Sequence, residues 1–359
     1  MTTISNEPLA FNCGIQMPNR FMLAPMTNSQ SHEDGTLSNE EYHWLTMRAK
    51  GGFGITMTCA SHVQAVGKGF PGQLGIFSDK HIDGHKRLAA GIKREGSLAV
   101  IQLHHAGMRS PKEVIGEQAV GPSDIKKYNT RALSLDEVRT LRQDFIDAAL
   151  RAQQSGYDGA EVHGAHGYIL TQFLSSEINT RTDCYGGTLE NRARLILEIV
   201  AGIREACGPH FLLGVRLSPE RFGMQLDEVK TVAQQLIDTE QIDFLDISLW
   251  DVFKAPEDEQ FKNKSLLAHF EELHYKTVKW TVAGKISSGN DVQNILNTTV
   301  DFVSIGTSGI LHHDFPKQVL NNSSFEPIAT PVAISHLKKE GLSDVFVTYM
   351  KRWEGFVEE

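Results

Sequence analysis

The sequence has little of what would point to a metal cluster, a membrane span or a disulfide framework. Its few cysteines form no C-x-x-C pair, which argues against a zinc ribbon, an iron–sulfur cluster and paired disulfides. They lie far apart along the chain, at Cys13, Cys59, Cys184 and Cys207. No stretch of about 18 apolar residues could cross a bilayer, and the first residues lack the basic start and apolar run of a secretion signal. We therefore expect a soluble, cytoplasmic protein with reduced thiols.

An excess of basic residues is also missing. The formal net charge is −9 at pH 7, whereas binding to nucleic acid or to an anionic membrane needs a concentrated basic face. The composition is otherwise that of a globular protein, because 40% of residues are hydrophobic and 22% are charged, without low-complexity tracts. We expect small-molecule partners and neither nucleic acid nor membrane, and leave open whether the protein forms a homo-oligomer.

What the sequence does have is a regular alternation of short apolar or β-branched runs with longer helical patterns. This alternation is typical of parallel βα units. The strand candidates are Phe21–Ala24, Gly54–Thr58, Leu98–Leu103, Gly159–His163, Leu212–Leu217, Phe244–Ser248, Trp280–Ala283 and Phe302–Ile305. The clearest helices are Ser38–Ala49, Leu135–Ser155, Asn191–Ala206 and Leu226–Thr239. Eight such units predict an α/β fold, a single (β/α)₈ TIM barrel.

The chain length is compatible with one domain, because barrels of this kind exceed about 250 residues. We interpret residues 1–359 as one domain, with a barrel core at about residues 20–320 and a helical tail at residues 321–359. Met1–Arg20 predicts a hairpin that closes the bottom of the barrel. The tail carries a helical pattern at Val345–Trp353, which we expect on the outside of the barrel or on a neighbouring subunit. A doubly wound sheet competes, but no G-x-G-x-x-G follows the first strand.

Polar residues gather where the predicted strands end, which is where barrels of this fold carry their chemistry. The sharpest group is H-G-A-H-G-Y, from His163 to Tyr168, at the end of the fourth strand. Two imidazole donors beside a phenol suit a substrate oxygen on which negative charge develops, together with a proton donor. Loop capping and packing are the alternative roles for these side chains.

A metal site is a second reading of the same histidines. His104 and His105 follow the third strand, and they could meet His163 and His166 around zinc, as in barrel hydrolases. Such sites recruit carboxylates at other strand ends, whereas Glu161 and Asp246 fall inside strands. We therefore predict no metal and keep a metal-dependent hydrolase as an alternative.

The last two strands end in glycines, at Gly284 and Gly306. Barrels commonly bind phosphate there through backbone N–H groups, because a missing Cβ lets an anion approach the chain. Tight turns would explain the same glycines. At the fifth and third strands, Arg216 and Gln102 could face the pyrimidine ring of a flavin, and a structural ion pair is the alternative for Arg216.

These residues belong to longer motifs, which together resemble the Old Yellow Enzyme family of FMN-dependent ene-reductases from about residue 8 to about residue 320. The motifs are N-R-F-M-L-A-P-M-T (Asn19–Thr27), Q-L-H-H-A-G (Gln102–Gly107), D-G-A-E-V-H-G-A-H-G-Y-I-L-T-Q-F-L-S (Asp158–Ser175), N-T-R-T-D-C-Y-G-G-T-L-E-N-R (Asn179–Arg192) and A-G-K-I-S-S (Ala283–Ser288). We interpret Arg181–Arg192 as structural scaffolding.

The resemblance implies FMN as the cofactor, NADH or NADPH as the electron donor, and a ping-pong reduction of activated C=C bonds in enones, quinones and nitro compounds. It implies that His163 and His166 hold the substrate oxygen and that Tyr168 donates the proton. The implied flavin-ring residues are Pro25, Met26, Thr27, Ala60, Gln102 and Arg216, with Thr27 donating to flavin O4. The implied phosphate site is the backbone of Gly284, Lys285, Gly306 and Thr307.

Three departures from the family pattern bear on function. Thr307 stands where the family usually has arginine, so FMN affinity should fall, and Thr27 stands where one branch has cysteine. His104 replaces a tryptophan common in another branch, and G-M-R (Gly107–Arg109) replaces G-R. A 2,4-dienoyl-CoA reductase-like enzyme and a flavin-binding protein without turnover remain alternatives.

Overall fold

A computed structural model describes residues 4–358, in which eight parallel strands close into a barrel and confirm the predicted (β/α)₈ fold. The strands are β1 (Leu9–Ala10), β2 (Gln16–Met17), β3 (Phe21–Leu23), β4 (Ile55–His62), β5 (Leu98–His104), β6 (Ala119–Gly121), β7 (Thr130–Ala132), β8 (Gly159–Gly164), β9 (Leu212–Leu217), β10 (Phe244–Ser248), β11 (Lys279–Ala283) and β12 (Phe302–Ile305). The barrel runs through β3, β4, β5, β8, β9, β10, β11 and β12 and closes on β3, while β1–β2 and β6–β7 are separate two-stranded sheets.

Helices follow the barrel strands and cover the outside of the barrel. They are α1 (Asn39–Lys50), α2 (Ile82–Arg94), α3 (Lys112–Ile115), α4 (Leu135–Gln154), α5 (Ile169–Leu174), α6 (Leu189–Cys207), α7 (Leu226–Asp238), α8 (Leu266–Phe270), α9 (Gly289–Leu296), α10 (Thr307–Leu311), α11 (Phe315–Asn321), α12 (Ile334–Lys339) and α13 (Asp344–Met350). The four helices predicted from the sequence are all present, with ends within two residues of the prediction. No helix in the described part of the chain is long and apolar enough to cross a membrane.

Local sequence explains where these helices begin. The Ser134 hydroxyl accepts from the Glu137 N–H, and the Glu137 carboxylate accepts from the Ser134 N–H. Together these two bonds form a capping box at the start of α4. Ser38 caps α1 in the same way by accepting from the Glu41 N–H. The buried face of α4 carries the apolar residues that the helical spacing predicted, including Phe145.

Strand β4 is longer than the sequence predicted. We placed its end at Thr58, but the strand continues to His62 through a register shift between Met57 and Ala60. Across this irregularity β4 has one residue more than β5, and periodicity alone does not show it. Its consequence is that Ala60 pairs with Gln102 inside the ladder rather than ending the strand.

The barrel interior changes from apolar at its base to polar at its mouth. Phe11, carried by the β1–β2 hairpin, packs against Phe302 and Phe244 with ring centroids 5.9 and 6.1 Å apart. This confirms that the N-terminal hairpin closes the bottom. Towards the carboxyl ends of the strands, the interior side chains become Gln102, Glu161 and their polar neighbours. The dry base leaves the carboxyl-end mouth as the place for chemistry.

The motif at Arg181–Arg192 is scaffolding, as predicted. Arg181 pairs with Asp183, and Arg192 pairs with Glu228 at the start of α7, 2.6 Å away. The Arg192 guanidinium also donates to the backbone carbonyl of Leu174. These contacts fasten the segment after β8 to the outer helices.

The C-terminal tail does more than the predicted outer packing. Phe346 of α13 packs edge-on against Trp44 of α1, 5.3 Å between ring centroids, which fixes the helix on the outside of the barrel. However, Tyr349 and Trp353 also line a cavity at the barrel mouth. The predicted packing on the outside of the barrel is therefore confirmed, while the contribution to the mouth was not predicted, because the sequence shows a helical pattern but not the surface on which it docks.

Candidate active site

A cavity of about 460 Å³ opens at the carboxyl ends of the barrel strands. Nine of the predicted site residues lie in its wall: Pro25, Met26, Thr27, His166, Arg216, Gly284, Lys285, Gly306 and Thr307. The other four do not line the wall. The His163 ring contacts the rings of His166 and Tyr168, whereas Ala60 pairs with Gln102 in the ladder and Gln102 bonds Glu161 inside the barrel. The structure thus brings side chains from all parts of the chain to one mouth.

His163, His166 and Tyr168 form a compact aromatic group. The ring centroids of the two histidines lie 5.1 Å apart, and the Tyr168 ring lies 5.3 Å from His163. His163 Nδ1 accepts from the Ala165 N–H at 3.3 Å, so in a neutral ring Nε2 carries the proton and faces His166 Nδ1 at 3.4 Å. His166 Nε2 then donates to Ser248 Oγ at 2.7 Å. The two imidazoles are therefore aligned as donors, with Ser248 as the present acceptor.

His166 is held in a strained backbone conformation, with φ of +62°. Such a conformation is costly for a residue with a side chain and persists only where the surroundings impose it. The Ser218 hydroxyl accepts from the His166 N–H at 2.9 Å, and Arg109 donates to the His166 carbonyl at 2.5 Å. These two contacts fix the direction in which the imidazole points.

Burial sets the protonation state of the group. It lowers the pKa of His163 and of His166 well below the usual histidine value, and nearby cations, including Arg216, lower both further. Both rings are therefore neutral near pH 7, and each can donate only one N–H. Burial also raises the pKa of Tyr168, which Arg109 partly opposes. The phenol consequently retains its proton and can act as an acid.

His104, which the sequence suggested only as a zinc ligand, adds a third imidazole to this group. Its ring lies 4.4 Å from Tyr168 and 5.5 Å from His163. Gln73 Oε1 accepts from the Gly69 N–H, which leaves the Gln73 amide nitrogen to donate to His104 Nδ1 at 3.1 Å. Burial keeps the pKa of His104 well below the usual value, so its Nε2 carries the proton. That buried N–H has no partner among the described residues.

A buried carboxyl pair lies inside the barrel near Arg216. Asp246 forms an ion pair with Arg216 at 3.1 Å, and Gln102 donates to Glu161 at 2.7 Å. One Glu161 oxygen and both Asp246 oxygens have no hydrogen-bond partner among the described residues, so two carboxyl groups lie buried beside a single guanidinium. Burial first, and Asp246 second, raise the pKa of Glu161 to about 8, and burial also raises that of Asp246. One remaining negative charge then balances Arg216.

Glycine is needed at the ends of β11 and β12 for two different physical reasons. A Cβ on Gly284 would lie 2.7 Å from the Trp250 backbone, so glycine is needed there for close approach of the chain. A Cβ on Gly306 would meet only Met26, at 3.8 Å, and would otherwise point into the open cavity. Gly306 therefore keeps ligand space free, whereas Gly284 serves the fold.

The cavity wall fits a flavin phosphate and ring. Ser304 lies in the wall with a buried hydroxyl that has no partner among residues 4–358. Lys285 also lines the wall, but its ammonium pairs with Asp251 at 3.0 Å and its side chain is 72% exposed. Polar contacts at that end must therefore come mainly from the backbone and from hydroxyls such as that of Thr307.

The described residues contain no group of three or more histidine, cysteine or carboxylate side chains placed to hold a metal ion. His105, which the zinc hypothesis required, instead bonds Gln64 at 3.1 Å and accepts from the Gly107 N–H. Nothing in the geometry supports the metal-dependent hydrolase.

Several site residues were missed in the sequence. Trp250 lines the cavity 6.0 Å from His166, and Ser248 bonds His166 directly. Period-two alternation could have found two others, because Glu161 and Asp246 stand two residues before His163 and Ser248 and share their interior face. For Trp250 and for Tyr349 of the tail we see no comparable signal in the sequence.

The fold and this mouth define a class, the flavin-dependent barrel oxidoreductases. The sequence profile of the NADH:flavin oxidoreductase / NADH oxidase family matches residues 7–324. The chain therefore belongs to that family, and the resemblance to Old Yellow Enzyme is confirmed. FMN is the cofactor that the family implies, and a reduced nicotinamide is the electron donor.

Three relatives illustrate the match. The probable NADH-dependent flavin oxidoreductase YqiG of Bacillus subtilis is 37% identical over 311 residues, which cover 84% of this chain and 83% of that protein. An Old Yellow Enzyme homologue from Zymomonas mobilis superposes with a TM-score of 0.80 and 25% identity, over 95% of this chain and 99% of that one. Morphinone reductase in complex with tetrahydroNAD gives a TM-score of 0.79 and 27% identity, over 95% and 96%.

Proposed function

We propose that this protein reduces activated C=C bonds in enones, quinones and nitro compounds with electrons from NADH or NADPH, and that residues 1–359 act as one FMN-binding barrel. The observation that carries the proposal is the group formed by His163, His166 and Tyr168 beside a cavity whose wall fits a flavin. Neutral donors next to a protonated phenol are what addition of hydride and a proton to a polarised double bond requires.

The cofactor would lie along the mouth, against Met26 and Thr27 and next to Arg216, with its phosphate towards Gly306 and Thr307. When bound, FMN supplies a two-electron carrier between nicotinamide and substrate. The Arg216 guanidinium, anchored by Asp246, places a fixed positive charge beside the ring site. The Thr27 hydroxyl is the proposed donor to flavin O4.

The imidazole pair binds the substrate oxygen. His166 gives up its bond to Ser248 and donates instead to the carbonyl or nitro oxygen, which is an exchange of one acceptor for another. His163, freed from His166 by the same movement, supplies the second donor. Both rings are neutral, so they stabilise developing negative charge without taking part in proton transfer.

Tyr168 supplies the proton. The Tyr168 ring contacts one side of His163, while His163 faces His166, which bonds Ser248. The raised pKa of Tyr168 keeps its proton in place until a strongly basic carbon forms. The proton moves from Tyr168 Oη to the carbon next to the activating group. Trp250 and the tail residue Tyr349 cover the same cavity and limit the access of water.

We further propose that donor and acceptor bind in turn, since a single cavity must receive the nicotinamide and the substrate. Initial rates measured at several NADH concentrations should then give parallel double-reciprocal lines. Intersecting lines would contradict this ping-pong mechanism, in which both compounds use the same cavity in turn.

The direct test is to purify the protein, release the ligand by denaturation and determine its mass, and then assay NADH-dependent reduction of cyclohexenone. FMN and turnover are expected. His163→Ala should weaken the binding of phenols to the holoenzyme, while Cys184→Ser, at an exposed position on the outer scaffold, serves as the control. A protein without flavin, or full phenol affinity in His163→Ala, would contradict the proposal.

A further inference from the structure

Arg109 is a cation at the barrel mouth without a carboxylate partner. Its guanidinium carbon lies 5.0 Å from the centroid of the Tyr168 ring, and it donates to the His166 carbonyl. Other cations near the mouth are neutralised: Arg216 pairs with Asp246, and Lys285 with Asp251. Within residues 4–358, Arg109 forms no ion pair, and its side chain is exposed to the solvent.

The surroundings of Tyr168 contain donors and cations but no acceptor of matching charge. The buried Nε2–H of His104, whose ring is 4.4 Å from Tyr168, has no partner among the described residues. The charged side chains that influence His166 are Arg216 and Arg109, and no carboxylate is among them. An unbalanced positive charge next to an unpaired donor attracts a negatively charged ligand.

The place of this charge relative to the substrate follows from the roles proposed above. If the substrate oxygen lies at His163 and His166, the carbon that accepts the proton lies next to Tyr168. A substituent on that carbon then extends towards the solvent along the side on which Arg109 lies. The guanidinium can form a charge-assisted, two-pronged hydrogen bond with a carboxylate there.

We propose that Arg109 is a specificity-determining residue that favours substrates with a carboxylate on the substituent next to the activating carbonyl. This inference rests on the proposed ene-reductase function and names its substrate class. Arg109 ends the G-M-R segment, Gly107–Arg109, which forms a single helical turn shortly after β5. This turn holds the Arg109 guanidinium over the face of the Tyr168 ring, which is the proposed proton donor.

A purely structural role is the competing explanation, because Arg109 also supports the strained His166 backbone. The two explanations differ in one measurable quantity. Loss of support for His166 weakens all substrates alike, whereas loss of a carboxylate partner weakens only the acids. The ratio of kcat/KM for an acid to kcat/KM for its neutral ester therefore distinguishes the two explanations.

The test uses 2-(carboxymethyl)cyclohex-2-enone and its methyl ester with the FMN-loaded protein. We expect the wild type to prefer the acid in kcat/KM, and Arg109→Gln to lower the acid-to-ester ratio about ten-fold, which is the usual weight of a charge-assisted hydrogen bond at a solvent-accessible site. Arg109→Lys should retain part of the preference. Arg139→Gln, which removes an exposed arginine on α4, should leave the ratio unchanged.

Binding gives a second readout that does not depend on turnover. The dissociation constants of the acid and the ester, obtained from changes in the flavin spectrum without NADH, should show the same loss of selectivity in Arg109→Gln. Equal losses for acid and ester, or no preference in the wild type, would overturn the role of Arg109 while leaving the ene-reductase function intact. Reduction of cyclohexenone but of neither test compound would likewise overturn only the substrate class, whereas failure of the wild type to reduce cyclohexenone would overturn the proposed function.

Discussion

The buried carboxyl pair leads to a prediction on pH-dependent stability. The pKa of Glu161 is raised to about 8 in the folded protein, against 4.5 for an ordinary glutamate. Between these values the folded protein holds a proton that the unfolded chain has released, so the free energy of unfolding must fall as the pH rises from about 4.5 to about 8. The contribution is fully present below 4.5 and is lost as the pH rises through 8.

Glu161→Gln keeps the shape and the bond from Gln102 but removes the titration. One proton corresponds to about 1.4 kcal/mol per pH unit, so the wild type should lose about 2–3 kcal/mol relative to the variant between pH 5 and pH 7. Burial raises the pKa of Asp246 as well, so the two neighbouring carboxyl groups titrate together and the loss of stability is smaller than for an isolated Glu161. The relevant quantity is the difference between the two proteins, in which the pH dependence of FMN binding cancels.

The assay is urea unfolding of the FMN-loaded proteins, at a fixed excess of FMN, followed by far-ultraviolet circular dichroism at pH 5, 6, 7 and 8. Glu205→Gln, at an exposed position of α6, is the matched control and should follow the wild type. A constant difference in unfolding free energy between wild type and Glu161→Gln across this range would refute the raised pKa of Glu161.

Three further variants test the cofactor and substrate sites. Thr307→Arg should tighten FMN binding about 10- to 100-fold, measured by flavin fluorescence. The reason is that the Lys285 ammonium is engaged with Asp251 and no other guanidinium is proposed near the phosphate. Unchanged affinity would show that the phosphate does not lie near residue 307. Thr27→Ala should lower the flavin reduction potential and slow reduction by NADH, and an unaltered reductive half-reaction would exclude Thr27 from the ring site. Ser248→Ala removes the acceptor that now engages His166, so phenols should bind several-fold more tightly; weaker binding would show that Ser248 orients the imidazole productively.

Much of this architecture could be predicted from the sequence, because its determinants are local. Strand ends are visible in the alternation of apolar runs, and in a barrel the strand ends meet at one mouth, which is why Gly306 and Arg216 could be placed together. The capping serine Ser134 marked the start of α4 for the same local reason.

What could not be predicted depends on contacts between distant segments. The electrostatic effect of Asp246 on Glu161 depends on the relative register of β8, β9 and β10, which no periodicity reveals. The extension of β4 to His62 results from an irregular pairing with β5. The docking of α13 against Trp44, which carries Tyr349 to the mouth, is a matter of shape complementarity between surfaces.

The most direct test of the account measures the two half-reactions of Tyr168→Phe separately by stopped-flow absorbance of the flavin. The phenol is needed only to protonate the substrate carbon, so NADH should bleach the flavin of the variant at a near-native rate. Reoxidation by cyclohexenone should then slow by about 10²- to 10⁴-fold, the usual contribution of a positioned acid. Native-rate reoxidation by cyclohexenone, or equal slowing of both half-reactions, would contradict the assignment of Tyr168 as the proton donor.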